Sequence, residues 1–160
     1  MVHNLRYQHA WTALRVHTQS PLVPHSQLPR AVVSGLPPRR VYVHPDEQEE
    51  LLREHGSVTE DTASRGALDV QPDREWVLPA QLAEQWALAD FAGLFDPLSH
   101  VPPEPQDAAD EAPGAGVTLP PPSPGKWRAK AKRALMAVVD DDSTVVYYVV
   151  HDGIVKPRQN

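Results

Sequence analysis

Nine of the chain's 18 prolines lie between Pro97 and Pro124, and this crowding limits the fold more than any other feature. Proline offers no amide hydrogen and pushes the residue before it toward extended geometry, so such a stretch sustains neither a helix nor a central strand. Ala108, Ala109, Gly114 and Gly116 fill the gaps, and residues 98–125 therefore read as a flexible insertion. A second segment, residues 56–71, is polar and unpatterned and reads the same way. What remains is one domain spanning 1–160 with about 110 folding residues, enough to need no covalent or metal staple. The absence of cysteine agrees, and excludes a disulfide framework, a thiol nucleophile and thiolate-bound metals. The apolar runs fall short of the roughly 18 residues of a membrane helix, and the N-terminus lacks a secretory pattern. A soluble intracellular protein without a membrane partner is expected.

Charge is distributed unevenly. The first 45 residues hold five arginines (Arg6, Arg15, Arg30, Arg39, Arg40) and no Asp or Glu, whereas residues 75–125 carry eight acids and no Lys or Arg. Lys126, Arg128, Lys130, Lys132 and Arg133 follow directly. The asymmetry points to a nucleic-acid or acidic partner on the basic parts, with a solvated basic face as the plainer alternative.

The periodicity predicts a short helix over Val2–Trp11. A strand follows over Thr12–Thr18, with Leu14 and Val16 on one face and Arg15 and His17 on the other. Two more strands are expected at Ala31–Val33 and Arg40–Val43. Pro45, with Asp46 and Glu47 behind it, predicts a helix start. Pro79 predicts another helix, carrying Leu82, Trp86, Ala89 and Gly93 as its stripe. Near the C-terminus, Ala134–Val139 and Thr144–His151 flank Asp140-Asp141-Asp142-Ser143 and predict a hairpin, with Ile154–Lys156 beyond it as an edge.

The second hairpin strand is apolar on both faces, with Val145, Tyr147 and Val149 on one side and Val146, Tyr148 and Val150 on the other. A strand with one wet face would alternate with polar residues, so these six residues require cover twice. Either another chain supplies part of it and the six form a partner surface, or a helix and a curl of the same sheet do.

The eight histidines form no His-x-x-x-His pair on an expected helix, and neither a phosphate-cradling glycine loop nor a zinc-finger spacing is present. No metal and no cofactor are expected.

The stretch Asp141-Asp142-Ser143-Thr144-Val145-Val146-Tyr147-Tyr148, continuing through His151-Asp152-Gly153, resembles the end of the smallest, non-catalytic subunit of the eukaryotic tRNA-splicing endonuclease. Three further segments are similar to its fungal form: Asn4–Trp11 on to Thr18, Gly35–Gln48, and Glu75-Trp76-Val77-Leu78-Pro79. The resemblance implies an α/β fold, a small mixed β-sheet flanked by helices and like the catalytic domain of tRNA-intron endonucleases. It also implies a nuclear complex of two catalytic and two structural subunits that excises introns from pre-tRNA, in which a late strand of each member pairs with its partner. In the catalytic relatives a Tyr, a His and a Lys gather around one phosphate to supply base, acid and charge stabilisation. Here Val41-Tyr42-Val43-His44-Pro45-Asp46 has His44 in place of that tyrosine, His55 lacks matching surroundings, and only Lys130 or Lys132 offers a counterpart. No catalytic residue is expected. The run Lys126, Arg128, Lys130, Lys132 and Arg133 suits contact with tRNA phosphates, or equally a basic face toward an acidic partner or water. The rival readings are a self-contained, metal-independent ribonuclease using His44, His55 or His151 with Lys132, and a homodimeric binding module.

Overall fold

The computed structural model describes residues 1–54, 72–104 and 132–153. Its elements are α1 (Val2–Tyr7), β1 (Thr12–Gln19), β2 (Gln27–Leu36), α2 (Pro45–Glu54), β3 (Glu75–Gln81), α3 (Leu88–Phe95), β4 (Arg133–Val139) and β5 (Val145–His151). The strands form one sheet in the order β1-β2-β3-β4-β5. β3 and β4 run parallel and the other neighbours antiparallel, so the sheet is mixed and the fold is the expected small α/β arrangement. Among the described residues no helix is long and apolar enough to cross a membrane.

Both sides of the sheet are covered in its middle. On one, α3 and the turn after it bring Leu94, Phe95 and Leu98 onto Val32, Trp76 and Leu78. On the other, Leu5 of α1 and Trp11 lie over Val33, Val77, Leu135 and Ala137. Leu78, Leu94 and Leu98 are each 1% exposed, and burying one such side chain contributes roughly 1.5–3 kcal/mol. Gly35 makes the second layer fit: a Cβ there would come 2.6 Å from Leu14 Cδ2 and 2.9 Å from Trp11 Cε3. Only a residue without a side chain lets both pack on β2.

The largest departure from expectation concerns Pro79, which lies in β3 rather than at a helix start. Trp76, Val77 and Leu78 are buried between two neighbouring strands, and this long-range pairing overrides the local proline signal. β2 pairs with β3 only as far as Val77, so the missing amide at Pro79 breaks no bond to β2. The Pro79 carbonyl instead accepts a hydrogen bond from Arg30 Nη1 at 2.6 Å. The helix begins later, at Leu88, where Asp90 Oδ2 accepts the Ala87 amide at 2.8 Å.

Four smaller expectations also change. α1 stops at Tyr7, short of Trp11. Residues 40–43 form no strand. In β1, Leu14 packs as expected but Val16 stays 56% exposed. His17 instead meets Trp76 edge-on at 4.9 Å. Finally, Leu98 and Pro102 are buried and Trp76 Nε1 donates to the Ser99 carbonyl at 2.9 Å, so residues 98–104 belong to the packed fold rather than to a flexible insertion. Residues 105–125, the segment 56–71 and the expected strand Ile154–Lys156 lie outside the described residues.

Candidate partner interface

The hairpin forms as the sequence predicts, with seven unbroken pairs from Arg133↔His151 to Val139↔Val145. Its tip is held locally. The Ser143 amide donates to the Asp140 carbonyl at 3.0 Å and the Thr144 amide to Asp142 Oδ1 at 2.8 Å. That backbone bond holds the Asp142 carboxyl below its ordinary pKa. The three aspartates therefore include a turn former at the tip.

Two bonds at the hairpin's ends fix its phase. The Asp140 amide donates to the Thr144 carbonyl at 2.9 Å, and the Asp152 amide to the Lys132 carbonyl at 2.8 Å. Hydrogen-bonding residues alternate along an antiparallel strand. Val146, Tyr148 and Val150 therefore aim their main-chain groups at β4, and Val145, Tyr147, Val149 and His151 aim theirs away from the sheet. Among the described residues β5 pairs with β4 alone, so that second set forms an open edge.

The side chains divide differently from the main chain. Val146 is 46% exposed, Tyr148 54% and Val149 38%. The other three of the six candidate partner residues are packed by the chain itself. Val145 and Tyr147 join the Leu5–Trp11 layer, and Val150 joins the Trp76 layer. Tyr147 is a strut: its hydroxyl donates to Asn4 Oδ1 at 2.6 Å and His9 meets its ring edge-on at 5.1 Å. Burial raises the Tyr147 pKa, which favours the neutral, donating hydroxyl. Of the six candidate partner residues, the exposed ones are thus a stretch on the α3 side, Val146 and Tyr148, together with Val149.

The candidate phosphate contacts fare differently. Lys126, Arg128 and Lys130 lie outside the described residues. Lys132 Nζ donates to the Phe95 carbonyl at 2.7 Å, at the C-terminal end of α3 where a cation is favoured. Arg133 is 6% exposed; its Nη2 donates to Glu75 Oε1 at 2.5 Å and its guanidinium lies 5.2 Å from the centre of the Tyr42 ring. Arg133 is therefore a buried structural cation, and its assignment to RNA phosphate is corrected.

The ribonuclease grouping is not assembled among the described residues. His44 Nδ1 accepts the Asp46 amide at 3.2 Å and so helps start α2. His151 packs edge-on against Tyr42 at 5.1 Å. Its pKa is lowered, first by burial and then by Arg133 and His44, with Glu75 opposing. Lys132 reaches α3 on the other side of the sheet, and His55 lies outside the described residues.

The opposite edge, β1, is treated in another way. Its pairing with β2 shifts register between Thr12 and Arg15 and again between His17 and Gln19. Ala13 sits at a φ of 48° and its carbonyl accepts from Arg74 Nη2 at 3.0 Å. The same Nη2 donates to Ser34 Oγ at 3.1 Å, and Ser34 Oγ lies 2.8 Å from His17 Nε2. With Arg74 donating to it, the hydroxyl still has its proton and a second lone pair to share with a neutral imidazole. Burial, then Arg15 and Arg74, lower the His17 pKa, consistent with that state. Residue-by-residue reading missed Glu75, Arg74 and Ser34 as a buried polar set. The one signal for it was a charged residue beside the apolar run Trp76-Val77-Leu78.

A five-stranded mixed sheet with one bulged edge and one regular, partly apolar edge makes the molecule a small α/β domain. Comparison with known sequences is more specific: the chain belongs to the Sen15 protein family, whose model matches residues 1–109 and 119–160. It is 41% identical over 164 residues to a Neurospora crassa protein named probable tRNA-splicing endonuclease subunit tsp-1, covering 100% of this chain and 64% of that relative. A shorter match, 50% identical over 32 residues, is to the tRNA-splicing endonuclease subunit SEN15 of Eremothecium gossypii, covering 20% of this chain and 27% of the relative.

Proposed function

We propose that this chain is a non-catalytic, structural subunit of a tRNA-splicing endonuclease complex. In this reading it joins a catalytic subunit by strand addition at β5 and supports the excision of introns from pre-tRNA in the nucleus. The single observation that carries the reading is the β5 edge, a regular seven-residue strand whose outward main-chain groups pair with no other strand among the described residues and whose Val146, Tyr148 and Val149 remain exposed. An edge of this kind is a template for another strand, and isolated proteins usually blunt it. The names of the relatives supply the kind of complex. Lys132 reaches α3 on the other side of the sheet from His151 and the neighbouring His44, and this separation supports a role without chemistry of its own.

Proline separates the two ladders of β5. The Val149 amide points to the open edge, so Val149→Pro removes one donor offered to a partner while sparing the β4 ladder. The Val150 amide points into that ladder, so Val150→Pro should destabilise the hairpin itself. Val149→Pro is expected to keep native circular dichroism and to lose co-purification with a coexpressed catalytic subunit. A folded Val149→Pro protein that still captures the subunit with native affinity would overturn strand addition.

A further inference from the structure

The basic arm that opens the sequence is not used by the β5 edge, and the structure shows what becomes of its arginines. Arg30 pairs with Glu84, and Arg40 pairs with Glu47 at 2.9 Å and Asp73 at 3.4 Å. Arg6 makes no ion pair among the described residues and sits exposed in the last turn of α1. The helix is anchored from beneath. Leu5 is 1% exposed, the Trp11 amide donates to the Leu5 carbonyl at 2.9 Å, and Asn4 accepts from Tyr147.

With residues 4 and 5 turned inward, the helical repeat turns residues 3, 6 and 7 outward. His3 and Tyr7 meet on that outer face with ring centres 4.4 Å apart and ring planes tilted by 42°, and Tyr7 is 69% exposed. Two rings and a guanidinium therefore share one held surface, in a stretch of 45 residues without an acid. Leu5 is spent on the core and Val2, 37% exposed, is the aliphatic residue of the helix left at the surface. Such a face offers stacking and positive charge but not the apolar centre of a protein interface.

We propose that the His3–Arg6–Tyr7 face of α1 is a contact for single-stranded RNA, with an unpaired base stacked on Tyr7 and a neighbouring phosphate on Arg6. Aromatic side chains take unpaired bases with little sequence preference, and arginine adds a salt-dependent attraction to the backbone. Tyr147 ties α1 to β5, so the contact lies on the structure that carries the proposed partner edge. The identity of that RNA as pre-tRNA rests on the proposed function; the stacking contact itself does not.

The test is fluorescence anisotropy of the full chain with a labelled single-stranded oligoadenylate of about twelve nucleotides, titrated at several salt concentrations. Tyr7→Ala should weaken binding about tenfold and Tyr7→Trp should restore it. Arg6→Gln should lower the slope of log affinity against log salt by about 0.7. The exposure of both side chains predicts unchanged thermal unfolding of each variant. The proposal is overturned if the parent chain shows no saturable binding, or if Tyr7→Ala and Arg6→Gln bind like the parent. It also fails if Tyr7→Ala keeps its RNA affinity but no longer co-purifies with a catalytic subunit, which would make the face a protein contact. Loss of partner capture by the parent chain with RNA binding intact would count against the structural-subunit reading instead.

Discussion

β1 and β5 are the two ends of one sheet and are finished in opposite ways. β1 breaks register twice, holds Ala13 at positive φ and fixes that carbonyl on Arg74. β5 keeps perfect register with β4 and exposes Val146, Tyr148 and Val149 along it. Bulges and polar side chains discourage a second strand, whereas regularity and apolar side chains invite one. The contrast teaches that the open edge is not a general property of a small sheet. The same chain makes one edge irregular and keeps the other regular.

The most severe way to break this comparison is to remove the frame both edges share. Glu75, 1% exposed, is the carboxylate that holds buried Arg133. Glu75→Ala strands a buried cation and should cost about 3–5 kcal/mol in chemical denaturation, lowering the stability of both edges together. Tyr148→Ala sharpens the comparison at the open edge. It should weaken capture of the catalytic subunit by about 2–4 kcal/mol, read by titration, while folding stability moves by less than about 1 kcal/mol. An unaltered affinity would remove Tyr148 as an anchor.

Tyr147→Phe tests the neighbouring side chain, which belongs to the core. Loss of its bond to Asn4 should cost the fold about 0.5–1.5 kcal/mol and leave partner affinity unchanged. The smallest effect is acid sensitivity, which both edges share through His17 and His151. Each has a folded pKa below its ordinary value of 6.5. The unfolded chain therefore takes up protons first as pH falls. Stability from these two groups is complete above about 6.5 and declines as the pH drops from there toward the lowered folded values. Denaturant midpoints should fall between pH about 7.5 and about 5.5, and His17→Gln should remove part of the fall. A midpoint independent of pH over that range would contradict the neutral His17–Ser34 arrangement.

The hairpin was legible because everything that defines it is local: two β-rich runs, a turn of aspartates and an unbroken pattern between them. α2 was legible for the same reason, since Pro45, Asp46 and Glu47 mark a helix start by themselves. The region around Pro79 was not. Its local signal favours a helix start, and only pairing with β4, whose residues lie far along the chain, makes it a strand. Arg133 was misread likewise. Beside Lys130 and Lys132 it looks like one more surface cation, but its carboxylate partner is 58 positions away.

Residue order alone therefore determined that a valine and tyrosine strand would form, pair across an aspartate tip and carry more apolar surface than one face can use. The tertiary structure decided which of those side chains the chain covers for itself. That choice depends on α1 and Asn4 reaching Tyr147 across 143 positions, while Tyr148, on the other side of the same strand, is left in contact with solvent. Short-range periodicity encodes the alternation of a strand, but which side is sealed depends on elements distant in sequence, and no local pattern contains that information.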